Sequence, residues 1–150
     1  MAKTKTLQNV LPLAQHFSIL SKGYIEVFAK KLAHLEIDRY FSILLYIDNT
    51  ANCTQQHISA FFKTDKASMV RIMNCLSKHG MVDKRVNAAD RRENLVFLTD
   101  KAKNILPEIH KAVEDVNALA MQGLSKKDIK HLYKYIETMQ NNLDGHIINL

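Results

Sequence analysis

The chain has 150 residues, 47% of them hydrophobic, with 21 Lys+Arg against 15 Asp+Glu, two cysteines, two prolines, four glycines and no tryptophan. That length fits one domain, which at this size buries roughly 68–70% of its unfolded surface and needs no disulfide or metal to fold. Two cysteines are too few for a disulfide scaffold and point to a reducing setting, the scarcity of Pro and Gly argues against an all-β protein, and no apolar run approaches the roughly 20 residues of a membrane span.

The N-terminal stretch is basic, but Gln15 and His16 interrupt its apolar run, so no signal peptide and a cytoplasmic location are expected. From Leu13 the apolar positions Leu13, Phe17, Leu20, Tyr24 and Val27 step by 4, 3, 4 and 3, which keeps one seam along a helix from about Leu11 to Ala33. Pro12 suits its first turn, where a missing N–H costs nothing. A second helix, Asp38 to about Asp48, is apolar around most of its circumference and belongs in the core. Thr54 can N-cap a short helix through Phe62 whose buried face is Ile58, Phe61 and Phe62. Thr64 or Asp65 caps the next helix, to about Lys78, with Met69, Ile72, Met73 and Leu76 as its apolar stripe and Gly80 at its end.

The period then changes to that of strands. Met81 to Val86 and Leu95 to Leu98 are β-prone runs joined by the polar segment Asn87 to Asn94, the pattern of a hairpin with a long charged tip. Thr99 can cap a helix from Asp100 to about Met121 that contains Pro107 and closes at Gly123. Ser125 and Asp128 open the last helix as a capping box, and Ile129, Leu132, Ile136, Met139 and Leu143 give it a seam like that of the first. Two long helices with seams that the small middle cannot fully cover predict a homodimer joined through Leu13, Phe17, Leu132, Ile136, Met139 and Leu143.

The net charge of +6 is unevenly placed. Residues 1–53 carry +2, residues 54–103 carry +5 and residues 104–150 carry −1. A cationic middle third suits a polyanion partner. Helix, tight turn, helix and charged hairpin is also the order of a winged helix-turn-helix. The expected fold is therefore mainly α, a winged helix-turn-helix with a two-stranded β wing, flanked by long N- and C-terminal dimerisation helices. Residues 1–37 and 104–150 are assigned to dimerisation and 38–103 to DNA binding, within one compact chain. The second helix of the pair leaves Lys66, Ala67, Val70, Arg71 and Asn74 on its outer side, where Arg and Asn can read bases bidentately and Ala or Val can meet a thymine methyl. Thr54, Gln55 and Gln56 can reach phosphates, and Asp90, Arg91 and Arg92 form a tip whose arginines could enter a minor groove, with Asp90 orienting one of them.

The run from Thr54 to Leu106 closely resembles the winged helix of the MarR (multiple antibiotic resistance regulator) family. The resemblance is carried by Asp65, Lys66 and Ser68 at the opening of the recognition helix, Arg71, Leu76 to Gly80, Asp90 with Arg92, and Leu98-Thr99. It implies a homodimer reading a pseudo-palindromic operator in double-stranded DNA, with Thr64 and Ser68 joining the contact set. It also implies a regulator, a repressor released by a small aromatic or phenolic effector, for whose pocket His16, Tyr24, Tyr40 and Tyr46 are the candidates. Where the family often has Gly in the helix-turn-helix turn this chain has Lys63, and Ala102 replaces the usual Gly after Leu98-Thr99.

Other readings stay open. Cys53, at a helix start where the dipole lowers a thiol pKa, and Cys75, expected to be buried and inert, allow a redox-sensing regulator of the same fold. A winged helix can also serve as a protein-interaction module without DNA, in which case its outer face should be apolar. Glu108, His110 and Glu114 form the only local grouping of metal-ligand types, too sparse for a metal site. No cofactor is expected. Nucleophile elbow, phosphate loop and paired-carboxylate motifs are all missing, which argues against an enzyme.

Overall fold

A computed structural model describes residues 11–35, 37, 40–88, 91 and 93–147. Its elements are α1 (Leu13–Lys31), a 3-10 turn (Ala33–Leu35), α2 (Phe41–Asp48), α3 (Gln55–Phe61), α4 (Lys66–Lys78), β1 (Val82–Val86), β2 (Asn94–Leu98), α5 (Asp100–Ala120) and α6 (Lys126–Ile147). The expected order is reproduced, with most helix boundaries moved inward and β2 starting one residue earlier, at Asn94. Helix α1 is shorter by two residues at each end than its seam suggests, and Asp38 and Arg39, the expected start of α2, lie outside the described residues. The chain divides after Val116 into two compact units.

The core of the first unit is built around α2, from which Ile43, Leu44 and Ile47 are buried. Phe28 of α1 stacks on Phe41 with ring centroids 4.4 Å apart. Ile58 of α3 and Met69, Met73 and Leu76 of α4 add to this core. So do Ala102, Leu106, Ile109, Ala112 and Val116, stepping 4, 3, 3 and 4 along α5. Two side-chain contacts tie the end of α1 and the turn after it to α5, the ion pair of Lys31 with Asp115 at 3.0 Å and His34 Nε2 against Glu108 Oε1 at 2.6 Å.

Strands β1 and β2 pair antiparallel, with Val82 opposite Leu98 and Val86 opposite Asn94. The hairpin is fastened at its base. Val96 N–H donates to the Cys53 carbonyl at 2.8 Å, and Thr54 bridges to Leu95. Thr99 joins the hairpin's exit to the end of α4, since its hydroxyl donates to the Gly80 carbonyl at 2.6 Å and accepts from Ala102 N–H at 3.1 Å. Pro107 lies inside α5, where its missing N–H removes one helical bond.

In the second unit α6 opens with the expected capping box. Ser125 N–H donates to Asp128 Oδ2 at 3.1 Å while Asp128 N–H donates to Ser125 Oγ at 3.2 Å. No described side chain of this 22-residue helix is buried. Among the described residues no helix is long and apolar enough to cross a membrane.

Candidate nucleic-acid interface

Helix α4 has two chemically different sides. Met69, Met73 and Leu76 face the core, while Lys66, Ala67, Val70, Arg71 and Asn74 are exposed, Val70 at 40%. Of the two candidate caps, Asp65 is the one used: its carboxylate accepts from Ser68 N–H at 2.8 Å. Hydrogen bonding from Ser68 holds that carboxyl below the ordinary aspartate value, with the Arg71 charge adding to the effect. Arg71 Nη2 donates in turn to Ser68 Oγ at 2.9 Å. Ser68 therefore spends its groups inside this first turn and acts to position Arg71, whose guanidinium keeps further donors for an outside partner.

The turn before α4 resolves the question raised by Lys63. Thr64 N–H donates to the Ser59 carbonyl at 3.0 Å and Lys63 N–H to that of Ala60 at 3.3 Å, the paired bonds of a Schellman helix end. This motif needs a left-handed residue, and Lys63 takes it at φ +48°. Thr54 caps α3, accepting from His57 N–H at 3.2 Å, and is buried. One expectation for α3 fails. Phe61 is 64% exposed, and only its flank is covered, by Tyr46 at 4.5 Å and Phe62 at 5.1 Å.

Thr54, Gln55, Gln56, Thr64 and Lys66, all candidates from the sequence, line one cleft of about 550 Å³ together with Ser59, Glu93 and Asn94. The last three were not foreseen. Ser59 lies four residues after Gln55 and so shares its face of α3, a signal available in the sequence. Glu93 and Asn94 reach the cleft through the hairpin register, which the sequence does not encode locally.

In the wing, Arg91 is exposed, and Asp90 and Arg92 lie outside the described residues. Arg85 stands over the Phe97 ring at 5.1 Å, a cation–π contact that adds a cation to the hairpin beyond the foreseen tip.

The four effector candidates have different surroundings. Tyr24 lies beside Phe28 at 6.4 Å, Tyr40 packs against the core, and Tyr46 belongs to the Phe61–Phe62 cluster. His16 is half-buried, and its Nε2 is the buried side-chain nitrogen without a hydrogen-bond partner among the described residues. The cysteine expectations are reversed. Cys53 is buried and desolvation pushes its thiol up rather than down, because the hairpin base covers it. Cys75 is half-buried, with Sγ 3.7 Å from His79 Nδ1. Glu108 is engaged by His34, and no group of three metal-ligand side chains occurs among the described residues.

Two helices joined by a tight turn and followed by a hairpin packed against the first of them make this unit a winged helix-turn-helix. Residues 38–93, which hold most of the winged helix, match the model of the MarR family. The fold of the rest agrees with solved MarR structures. A MarR protein from Peptoclostridium difficile is similar with a TM-score of 0.84 at 20% identity, over 97% of this chain and 94% of that one. A MarR transcriptional regulator from Methanosarcina mazei matches with 0.81 at 23% identity, over 87% and 94%. A mutant MarR from E. coli, complexed with operator DNA, matches with 0.78 at 20% identity, over 91% and 99%.

Proposed function

We propose that this chain is a homodimeric, sequence-specific DNA-binding transcriptional regulator, a repressor released from a pseudo-palindromic operator by a small aromatic or phenolic effector. The observation that carries the reading is the exposed side of α4. It offers Lys66, Arg71 and Asn74 around small apolar Ala67 and Val70, with Arg71 anchored by a capped first turn. That mixture suits a major groove, whereas a protein-interaction surface would be apolar there. The E. coli relative bound to operator DNA supports the same assignment. Gln55, Gln56 and Thr64 then meet the backbone beside the groove, the buried Thr54 holds the start of α3 behind them, and Asp90, Arg91 and Arg92 serve the wing.

Dimerisation is supported by the uncovered apolar residues Leu13, Phe17 and Leu20 on α1 and Leu132 and Leu143 on α6. We assign residues 1–37 and 104–150 to this role. For the effector, the unpartnered Nε2 of His16 is a group that a phenolic hydroxyl could satisfy, with Tyr24, Tyr40 and Tyr46 as further candidates. Selection of bound duplexes from a random pool tests the reading. A two-fold related motif with half-sites about one DNA turn apart is the expected result, and binding should fall with salt at a log–log slope of about 5–10. No enrichment, or a flat salt response, would refute it.

A further inference from the structure

We infer that Glu93 limits how tightly each head holds DNA, an inference that rests on the DNA-binding reading above. Glu93 is half-buried in the cleft shared by the candidate contacts Thr54, Gln55, Gln56, Thr64 and Lys66. Its position is fixed from behind. Asn87 N–H donates to the Glu93 carbonyl at 3.0 Å, and the next residue, Asn94, pairs with Val86. The Glu93 backbone is therefore held at the end of the β1–β2 ladder rather than carried by the tip.

The rest of the lining suits a nucleic-acid strand. Hydroxyls and amides can donate to phosphate oxygens, and Lys66 attracts them. Glu93 does the reverse. An ionised carboxylate has no proton to give a phosphate and repels it, and among the described residues no cation pairs with it at salt-bridge distance. Lys66 lines the same cleft without neutralising it. Two unit charges about 6 Å apart in a water-like medium cost about threefold in affinity, hence about tenfold for a two-headed dimer.

The test compares the full chain with Glu93→Gln and with Glu137→Gln, an exposed α6 site that carries the same charge change and is not among the residues lining the cleft. Binding to a random-sequence duplex and to a selected operator is followed by fluorescence anisotropy at low and high salt, with thermal unfolding confirming that all three are folded. Glu93→Gln should tighten both complexes by about tenfold at low salt, with the gain shrinking as salt screens the charge, and Glu137→Gln should match the parent. An unchanged or weaker Glu93→Gln complex beside normal parental binding overturns the inference alone, as does an equal gain in Glu137→Gln. Failure of all three proteins to bind any duplex overturns the DNA-binding reading and this inference with it.

Discussion

Helices α4 and α6 have the same kind of sequence and opposite fates. Each carries an apolar stripe at helical spacing, but α4 buries Met69, Met73 and Leu76 within the chain, whereas no described side chain of α6 is buried and Leu143 is 63% exposed. Burying one Leu or Met side chain contributes about 1.5–3 kcal/mol. In α4 that contribution is realised inside the monomer, leaving a polar face available for recognition. In α6 it is unrealised, and a second copy of the chain is the partner we propose for it.

The largest effect expected from this contrast is therefore on assembly. Leu132→Glu combined with Leu143→Glu puts two charges on the α6 stripe at exposed positions. Light scattering should show the mass falling from twice 17.2 kDa to 17.2 kDa, and operator affinity should drop by more than about 100-fold, because a two-site grip becomes a one-site grip. A variant that stays dimeric would remove α6 from the interface. Arg71→Ala tests the other helix. It should weaken operator binding by about 1–3 kcal/mol and leave the mass unchanged; full affinity in this variant would take the guanidinium out of recognition.

Features set by neighbours in sequence were legible in advance, and features set by packing were not. The caps at Thr54, Asp65 and Ser125 with Asp128, and the helix ends at Gly80 and Gly123, depend on a few adjacent residues and appear where expected. Phe61 shows the opposite case. Its spacing from Ile58 puts it near the buried side of α3, yet Tyr46 covers only one flank, and only the tertiary arrangement decides that. Cys53 and Cys75 exchanged their expected environments for the same reason: strand β2 covers the first, and α4 turns the second partly outward. Of the residues that line the cleft, Thr54, Gln55, Gln56, Thr64 and Lys66 were candidates from the sequence. Glu93 and Asn94 were not, because their place in the cleft depends on strand register.

The capped start of α4 gives a pH-dependent effect. Hydrogen bonding from Ser68 lowers the Asp65 carboxyl in the folded chain relative to its ordinary value of 3.8. The stabilisation is therefore complete above the unfolded value and is lost as pH falls through the folded one. Asp65→Ala should lower the melting temperature by a few degrees at neutral pH. That gap should close as both proteins are titrated below about pH 4, and a gap that persists into strong acid would assign the loss to something other than the ionised cap.

The smallest expected effect comes from two helix ends with the same hydrogen bonds. Helix α4 ends with Gly80 N–H on the Ser77 carbonyl and Met81 N–H on that of Leu76, as α3 ends with Lys63 on Ala60 and Thr64 on Ser59. The left-handed residue is Gly80 at φ +68° in one and Lys63 at φ +48° in the other. A side chain in that region crowds its own carbonyl at a cost of roughly 1–2 kcal/mol, which glycine avoids. Glycine in turn loses more entropy on folding, about 0.5–1 kcal/mol. Lys63→Gly should therefore stabilise the chain by at most about 1 kcal/mol in urea unfolding, whereas Gly80→Lys should destabilise it, by a similar or larger amount. If Lys63→Gly is instead destabilising by more than about 1 kcal/mol, contacts of the Lys63 side chain outweigh its backbone strain, and the turn is held by the lysine rather than in spite of it.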